Sequence, residues 1–328
     1  MKKTVLALAC AGLFGGAVSS TASAVTLYQS NDGDYVQMNG RVEVGGWFGK
    51  RRNDNGEKWT WYQGYVDDTF GDLAFKARTG DIYGVFDFDF ERTPWTVDNE
   101  FQIVLDKAYV GWEFLDGHFV ELGRNDTAYD DFDSHGDFSI NEAVEVKEAG
   151  DQDNTVKYHG QINHWAMGVS YSLTGWDEHL TDSREGAVLN GYLGYFADSW
   201  TLLAGAETVK EHGEIYSLHG TYHLGQWDFG GLISYADRNE VNGYVSKDNT
   251  IGVASAAYQL TRQIQLVATY SNINYKEEYQ YYSEEQLSDD WFTAGVNFQY
   301  RPNVRLAGEV VTGGEQGTFA YSKVYFRF

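Results

Sequence analysis

From Val36 to Phe328, apolar and polar residues alternate with period two, and helical periodicity does not recur. Val36, Met38, Gly40, Val42 and Val44 share one face, with Gln37, Asn39, Arg41 and Glu43 on the other. Ile82, Gly84, Phe86, Phe88 and Phe90 oppose Asp87, Asp89 and Glu91. The same pattern returns at 165–173, 264–271 and 292–301. Each run spans roughly nine to thirteen residues, the length of a tilted strand that crosses a bilayer. The spacing predicts sixteen strands: 36–49, 70–78, 82–90, 103–114, 118–125, 155–162, 164–173, 186–196, 199–209, 214–224, 226–237, 248–260, 263–275, 290–301, 303–312 and 318–328.

The links between the runs carry a second pattern. Gly80-Asp81, Asp116-Gly117, Asp198, Gly225, Thr261-Arg262 and Pro302 mark short turns. Long polar links lie between them at 50–69, 91–102, 126–154, 174–185, 238–247 and 276–289. Alternating short and long links fit an all-β transmembrane antiparallel barrel of sixteen strands, with short periplasmic turns and long external loops. A β-sandwich also alternates, but on shorter strands whose apolar face a second sheet must bury. Sixteen such runs would make an unusually large sandwich.

Composition agrees with the barrel. Aromatic residues make up 16% of the chain and there are 37 glycines and only two prolines. The mean hydropathy is negative, against a helical membrane protein. Aromatic girdles, an apolar outside and a polar inside reconcile these figures. With 48 acidic side chains against 24 Lys and Arg, the formal net charge is -24. Such a surface repels nucleic acid and draws cations.

Lys2 and Lys3 precede an apolar run from Val5 to Val18, and Ala22-Ser23-Ala24 supplies the small residues of a cleavage site. The expected division is a signal peptide over 1–24 and a single barrel domain over 25–328. The apolar run is too short for a membrane span. Ala7-Leu8-Ala9-Cys10 lacks the apolar residue of a lipoprotein signal. Cys10, the only cysteine, leaves with the leader, so disulfides contribute nothing.

The stretch Leu105–Glu145 joins two short alternating runs through Leu115-Asp116-Gly117, a hairpin signal, and then enters a long acidic segment. An acidic loop after a tight hairpin reads as the element that narrows a water-filled pore. Its acids Asp130, Asp131, Asp133, Asp137 and Glu142 are the candidates for the constriction. The last run places Val324, Phe326 and Phe328 on one face, and a terminal aromatic on such a strand resembles the assembly signal of bacterial outer-membrane barrels.

Taken together, the chain resembles the general, non-specific trimeric porins of Gram-negative bacteria. The resemblance covers nearly all of the mature chain. It rests on Val25-Thr26-Leu27-Tyr28 with Val36-Gln37-Met38-Asn39-Gly40-Arg41, on Leu73-Ala74-Phe75-Lys76 and on Ala108-Tyr109-Val110-Gly111-Trp112. Its most specific stretch is Gly117-His118-Phe119-Val120-Glu121-Leu122-Gly123-Arg124-Asn125. It implies a homotrimer in the outer-membrane lipid whose third external loop, 126–154, folds into the lumen. It also implies basic wall residues facing loop acids, with Arg41 and Arg124 at matching positions.

The chain departs from the pattern in three places. Asp72 stands where a wall arginine is expected, no clear basic partner follows the loop at Gly150-Asp151-Gln152-Asp153, and the loop lacks a Pro-Glu-Phe-Gly run. Arg124 shares parity with Leu122 and Val120, so a bulge is required if it is to face the lumen. A thinned basic wall opposite an acidic loop predicts a channel for small hydrophilic solutes that favours cations.

Asp131-x-Asp133-x-His135-Gly136 with Glu142 at the twelfth position nearly matches a calcium loop, but His takes the fifth position and no flanking helices are visible. No metal and no cofactor is expected. Neither G-x-S-x-G nor H-E-x-x-H occurs, and His159, His219 and His223 read as wall residues rather than bases, so no enzyme is expected. Trp59, Trp61 and Tyr62, with Tyr279, Tyr281 and Tyr282, form two aromatic clusters that could stack on sugar rings, and a sugar-selective porin is the alternative. A receptor barrel with a plugged lumen is the third.

Overall fold

The computed structural model describes residues 24–54, 59–92, 101–141, 148–175, 186–210, 213–238, 245–278, 285–313 and 317–328. Residues 1–23, with the expected leader, lie outside them. The strand segments are β1 Val25–Gln29, β2 Tyr35–Asp54, β3 Trp59–Asp67, β4 Phe70–Thr79, β5 Ile82–Arg92, β6 Phe101–Leu115, β7 His118–Asp126, β8 Asp151–Ile162 and β9 Trp165–Gly175. They continue as β10 Gly186–Phe196, β11 Trp200–Val209, β12 Gly213–Leu224, β13 Trp227–Arg238, β14 Val245–Gln259, β15 Ile264–Glu278, β16 Glu285–Arg301, β17 Val304–Gly313 and β18 Gly317–Arg327.

Each segment pairs antiparallel with its neighbours in one closed sheet. β18 returns to β2, from Gly317 opposite Arg51 to Arg327 opposite Arg41. Closure leaves no strand edge, which a lipid environment requires because it offers backbone groups no partner. Eighteen segments make a sixteen-strand wall because two strands are broken. β1 continues the line of β18: Val25 lies opposite Met38, and Phe328 exchanges two 2.9 Å backbone hydrogen bonds with Gly40. β3 and β4 pair with successive lengths of β2 and are parted at Asp68-Thr69.

The break has a local use. Asp68 donates its backbone N–H to Gly45 O at 2.8 Å, and its carboxylate receives Tyr321 Oη at 2.9 Å and Lys323 Nζ at 2.8 Å. The interruption therefore delivers a carboxylate to the inner wall.

Alternation separates the two faces as expected. Val44, Phe86, Val110, Leu122, Leu218, Ile233 and Val310 are all exposed on the outside. Near the short turns this band ends in packed aromatics. Trp165 meets Tyr195 edge-on at 5.0 Å, Tyr195 lies 5.1 Å from Trp200, and Trp227 lies 4.6 Å from Tyr258. Amphipathic rings at that level form the girdle of a membrane barrel. The hairpin turns use the residues the sequence offers, with Gly117 in the left-handed region at φ 74°.

Candidate functional site

The connection from β7 to β8 folds inward and runs along the inner wall strand by strand. Ala128 N–H donates to Ser170 Oγ on β9 at 2.9 Å, and Tyr129 N–H donates to Asn190 Oδ1 on β10 at 3.2 Å. His135 Nε2 lies 2.5 Å from Thr201 Oγ1 on β11, and its carbonyl accepts from His219 Nδ1 on β12 at 2.9 Å. Phe138 N–H donates to Ser255 Oγ on β14 at 3.2 Å. Finally the N–H groups of Ile140 and Asn141 converge on the Glu309 carboxylate of β17, at 2.8 and 2.9 Å. A carboxylate holding two neighbouring backbone donors is a strong clamp, because charge-assisted hydrogen bonds are about twice as strong as neutral ones.

Apolar packing holds the middle of the loop. Tyr129 and Phe132 are fully buried against Leu203, Ile215, Leu232, Ile251 and Val253, with Tyr192, Phe196, Ile273 and Trp291 around them. The wall makes room through missing side chains. A Cβ on Gly205 would lie 2.0 Å from the Phe132 ring, and one on Gly230 would lie 2.2 Å from the Gly136 carbonyl oxygen. The loop thus lies against β9 to β17 and covers that side of the lumen. The expected polar interior is corrected there: aliphatic side chains point inward because the loop buries them.

The opposite wall carries charge. Arg41 donates from Nε to Asp72, its register partner on β4, and its Nη1 lies 3.3 Å from Glu43. Asp72, which stands where a wall arginine is expected, is the direct partner of Arg41. Lys107 bridges Asp106 at 3.1 Å and Asp126 at 2.7 Å. Lys323 bridges Glu43 and Asp68, both at 2.8 Å. Arg78 pairs with Glu113. The expectation that no base follows the loop is also corrected. Lys157 on β8 is buried and meets Asp131 at 2.6 Å. Its parity with Thr155 and His159 on the inner face was legible in the sequence.

The bulge required at Arg124 is present, between Gly123 and Asn125 opposite β8. Arg124 donates from Nε to the Asp106 carbonyl at 2.8 Å and from Nη1 to Asp153 at 3.3 Å. Its partners therefore include the neighbouring wall strands β6 and β8.

Beside Asp131, which pairs with Lys157, the described loop acids take two further roles. Asp137 is a fastening: it accepts from Ser139 N–H at 2.8 Å and from Thr269 Oγ1 at 3.2 Å. Asp130 and Asp133 stand with Glu148 close enough for one carboxylate oxygen of each to lie within 4.8 Å of the others, and Asp126, Asp130 and Asp151 form a like group. Burial, then the charges of Asp126, Glu148 and Asp133, push the Asp130 carboxyl well above its ordinary range. Burial raises Asp131 and Asp137 and brings Asp133 up to about 6, while it lowers His135 to about 4. Glu142 lies outside the described residues.

Of the calcium-like spacing, Glu142 lies outside the described residues, and Asp131 and His135 turn to different partners. Asp131 turns to Lys157 and His135 to Thr201. Trp59, Trp61 and Tyr62 fall on β3 rather than in a loop, and Tyr279, Tyr281 and Tyr282 lie outside the described residues. His159 lies 3.3 Å from Glu121 and stacks on Phe119 at 4.8 Å. Val324 and Phe326 face outward and are exposed, and the Phe328 ring lies beside Gly40.

A closed barrel with its third long connection laid across the lumen is the architecture of a diffusion channel. Residues 5–317 match the family described as Gram-negative porin. The chain belongs to that family. It is 29% identical over 265 residues to a monosaccharide porin of a Halomonas species, a match covering 70% of this chain and 68% of the relative. The figures are the same for the major outer membrane protein of Halomonas elongata.

Among solved structures, OmpF of Salmonella typhi in complex with daunomycin aligns with a TM-score of 0.71 at 14% identity, over 93% of this chain and 100% of that one. The anion-selective porin of Comamonas acidovorans aligns at 0.63 and 13%, over 90% and 100%. At these identities the likeness concerns the fold alone. As a Gram-negative porin, the chain is a non-enzymatic β-barrel of the outer membrane through which solutes diffuse passively.

Proposed function

We propose that this porin is a homotrimeric, cation-preferring pore for small hydrophilic solutes, set in outer-membrane lipid after removal of a leader over 1–24. The observation that carries the reading is a surplus of carboxylate. Arg41, Lys107 and Lys323 each meet two carboxylates, whereas Asp130, Asp133 and Glu148 gather on the loop side. Acidic linings favour cations.

In this reading Asp130, Asp131, Asp133, Asp137 and Glu142 supply the acidic side of the constriction. Arg41 and Arg124 supply the basic side, and the field between them penalises apolar solutes. The strand of Val324, Phe326 and Phe328 serves assembly. A porin of stated sugar specificity among the relatives favours a second reading, passage of a monosaccharide.

Reversal potential in a planar bilayer under a KCl gradient tests the first reading, and a cation-selective sign is expected. An anion-selective sign would overturn the charge argument and leave the pore. Current block on titrating a monosaccharide would favour the second reading.

A further inference from the structure

We propose that Arg305 and Arg327 form an anion-binding subsite on the lumen wall at the short-turn end of the pore, which takes the carboxylate or phosphate group of a permeating solute. The inference rests on the pore reading above, and its site adjoins Arg41 on the basic wall rather than the loop acids.

The strands place both residues. β17 starts at Val304, just after a short turn, and β18 ends at Arg327, so both arginines lie at that end. Arg305 shares a face with Glu309, whose carboxylate holds the loop inside the barrel. Arg327 shares a face with Lys323 and Tyr325, and their neighbours Leu306 and Phe326 are exposed on the outside. In register Arg305 lies opposite Tyr325, and Arg327 lies opposite Arg41.

Their surroundings differ from those of the ion-paired wall cations. Arg41, Arg78, Lys107, Lys157 and Lys323 are each ion-paired with a carboxylate. Among the described residues, neither Arg305 nor Arg327 has a carboxylate at ion-pairing distance. Arg327 faces another arginine directly, an arrangement that destabilises a strand pair. In a chain of net charge -24, two unpaired arginines side by side on the inner wall need an account.

The geometry offers one. The Arg305 guanidinium lies over the Tyr325 ring, 3.9 Å from its centroid. Stacking occupies the face of the guanidinium and leaves its in-plane N–H donors free for the bidentate contact that carboxylate and phosphate accept. Arg327, exposed beside it, supplies the second charge. A zwitterionic solute would then meet acids on the loop and these arginines on the wall beside Arg41.

Inorganic phosphate is the probe. In a planar bilayer at fixed pH and chloride, phosphate added on the short-turn side should reduce single-channel current at lower concentration than phosphate added on the other side. The double variant R305Q/R327Q should raise the half-blocking concentration by about tenfold, the loss of roughly one or two charge-assisted contacts. R305K/R327K keeps the charge without the fork and should fall between. R301Q, which removes another arginine of the same end, should leave the block unchanged.

Equal block from both sides, equal loss in R301Q, or full block in R305Q/R327Q with normal KCl conductance would each overturn the subsite. If the protein does not conduct, the pore reading fails by itself. Titration calorimetry of phosphate into the detergent-solubilised trimer, wild type against R305K/R327K, then reads the subsite without conduction. Equal heats in the two would overturn it.

Discussion

The two halves of the lumen wall are built from the same alternation and do opposite things with it. On β9 to β17 the inward residues that meet the loop include hydroxyls, glycines and aliphatics, with Glu207 and Glu309 accepting loop N–H groups. On β18, β2 and β4 to β8 they are ion pairs: Arg41 with Asp72, Lys107 with Asp126, Lys157 with Asp131 and Lys323 with Glu43. The first half is a seat and the second lines a water path. A seat needs matched donors and acceptors plus space, because a buried polar group left without a partner is expensive. A water path tolerates charges because water and counter-charges screen them. Placing the loop on one half therefore determines which half keeps its field.

The sharpest way to break this contrast is to loosen the seat. Phe132 is fully buried, and truncating a buried Phe costs about 3–5 kcal/mol. F132A should free the loop, raise single-channel conductance and expose 127–150 to protease, while the barrel stays folded. Unchanged protease resistance would mean that the apolar seat does not hold the loop.

The matching test on the other half removes Lys157, whose side chain is only 5% exposed. Deleting one partner of a buried pair costs about 3 kcal/mol because the other charge is left behind. K157M should lower the unfolding temperature, and D131N/K157M should recover much of the loss. If the double variant is no better than K157M alone, Asp131 and Lys157 are not energetically coupled.

At the far end of the seat, E309Q keeps the shape but replaces the carboxylate that accepts two backbone donors. Hydrogen bonds to charged groups contribute about 1.5–3 kcal/mol, so the expected loss is about 1–2 kcal/mol, read as added open-channel noise rather than unfolding. Quiet channels in E309Q would show that the apolar middle suffices.

The same contrast explains what was legible in the sequence. Each of the sixteen expected strands has a counterpart, because lipid and water impose a strict period of two on every one. The pieces that escaped were β1, five residues long, and β3, whose Trp59-Thr60-Trp61-Tyr62 reads as an aromatic loop until its pairing with β2 is seen. Arg124 announced its bulge by standing on the wrong parity. The seat itself left no signal, since Glu309 meets Ile140 across 169 residues of chain and nothing local marks Gly205 or Gly230 as notches. Leu203, Ile215 and Ile251 even weaken the alternation on strands where the loop buries both kinds of residue. Pairing of Arg41 with Asp72 was hidden because only strand register brings them opposite.

The smallest effect concerns the acidic cluster that the loop carries at Asp130 and Asp133. Asp133 has its carboxyl raised to about 6, chiefly by burial, with Asp126 and Asp131 adding to it and hydrogen bonds from Ser134 opposing it. The sign follows directly. Above pH 6 the group is charged and contributes to cation preference, and below pH 6 it is neutral. Because its folded value is raised, docking of the loop is favoured as pH falls through 6 and is weakened as pH rises. Selectivity and loop stability should therefore move in opposite directions across the same interval, which separates this group from an exposed carboxylate titrating near 4. One screened charge is worth about 0.4 kcal/mol, a twofold change in the cation-to-anion permeability ratio between pH 7 and 5. D133N should lower the ratio at pH 7 and flatten the step. If the step persists in D133N, the titrating group belongs to the ionic wall rather than to the loop, and the division of labour between the two halves would have to be redrawn.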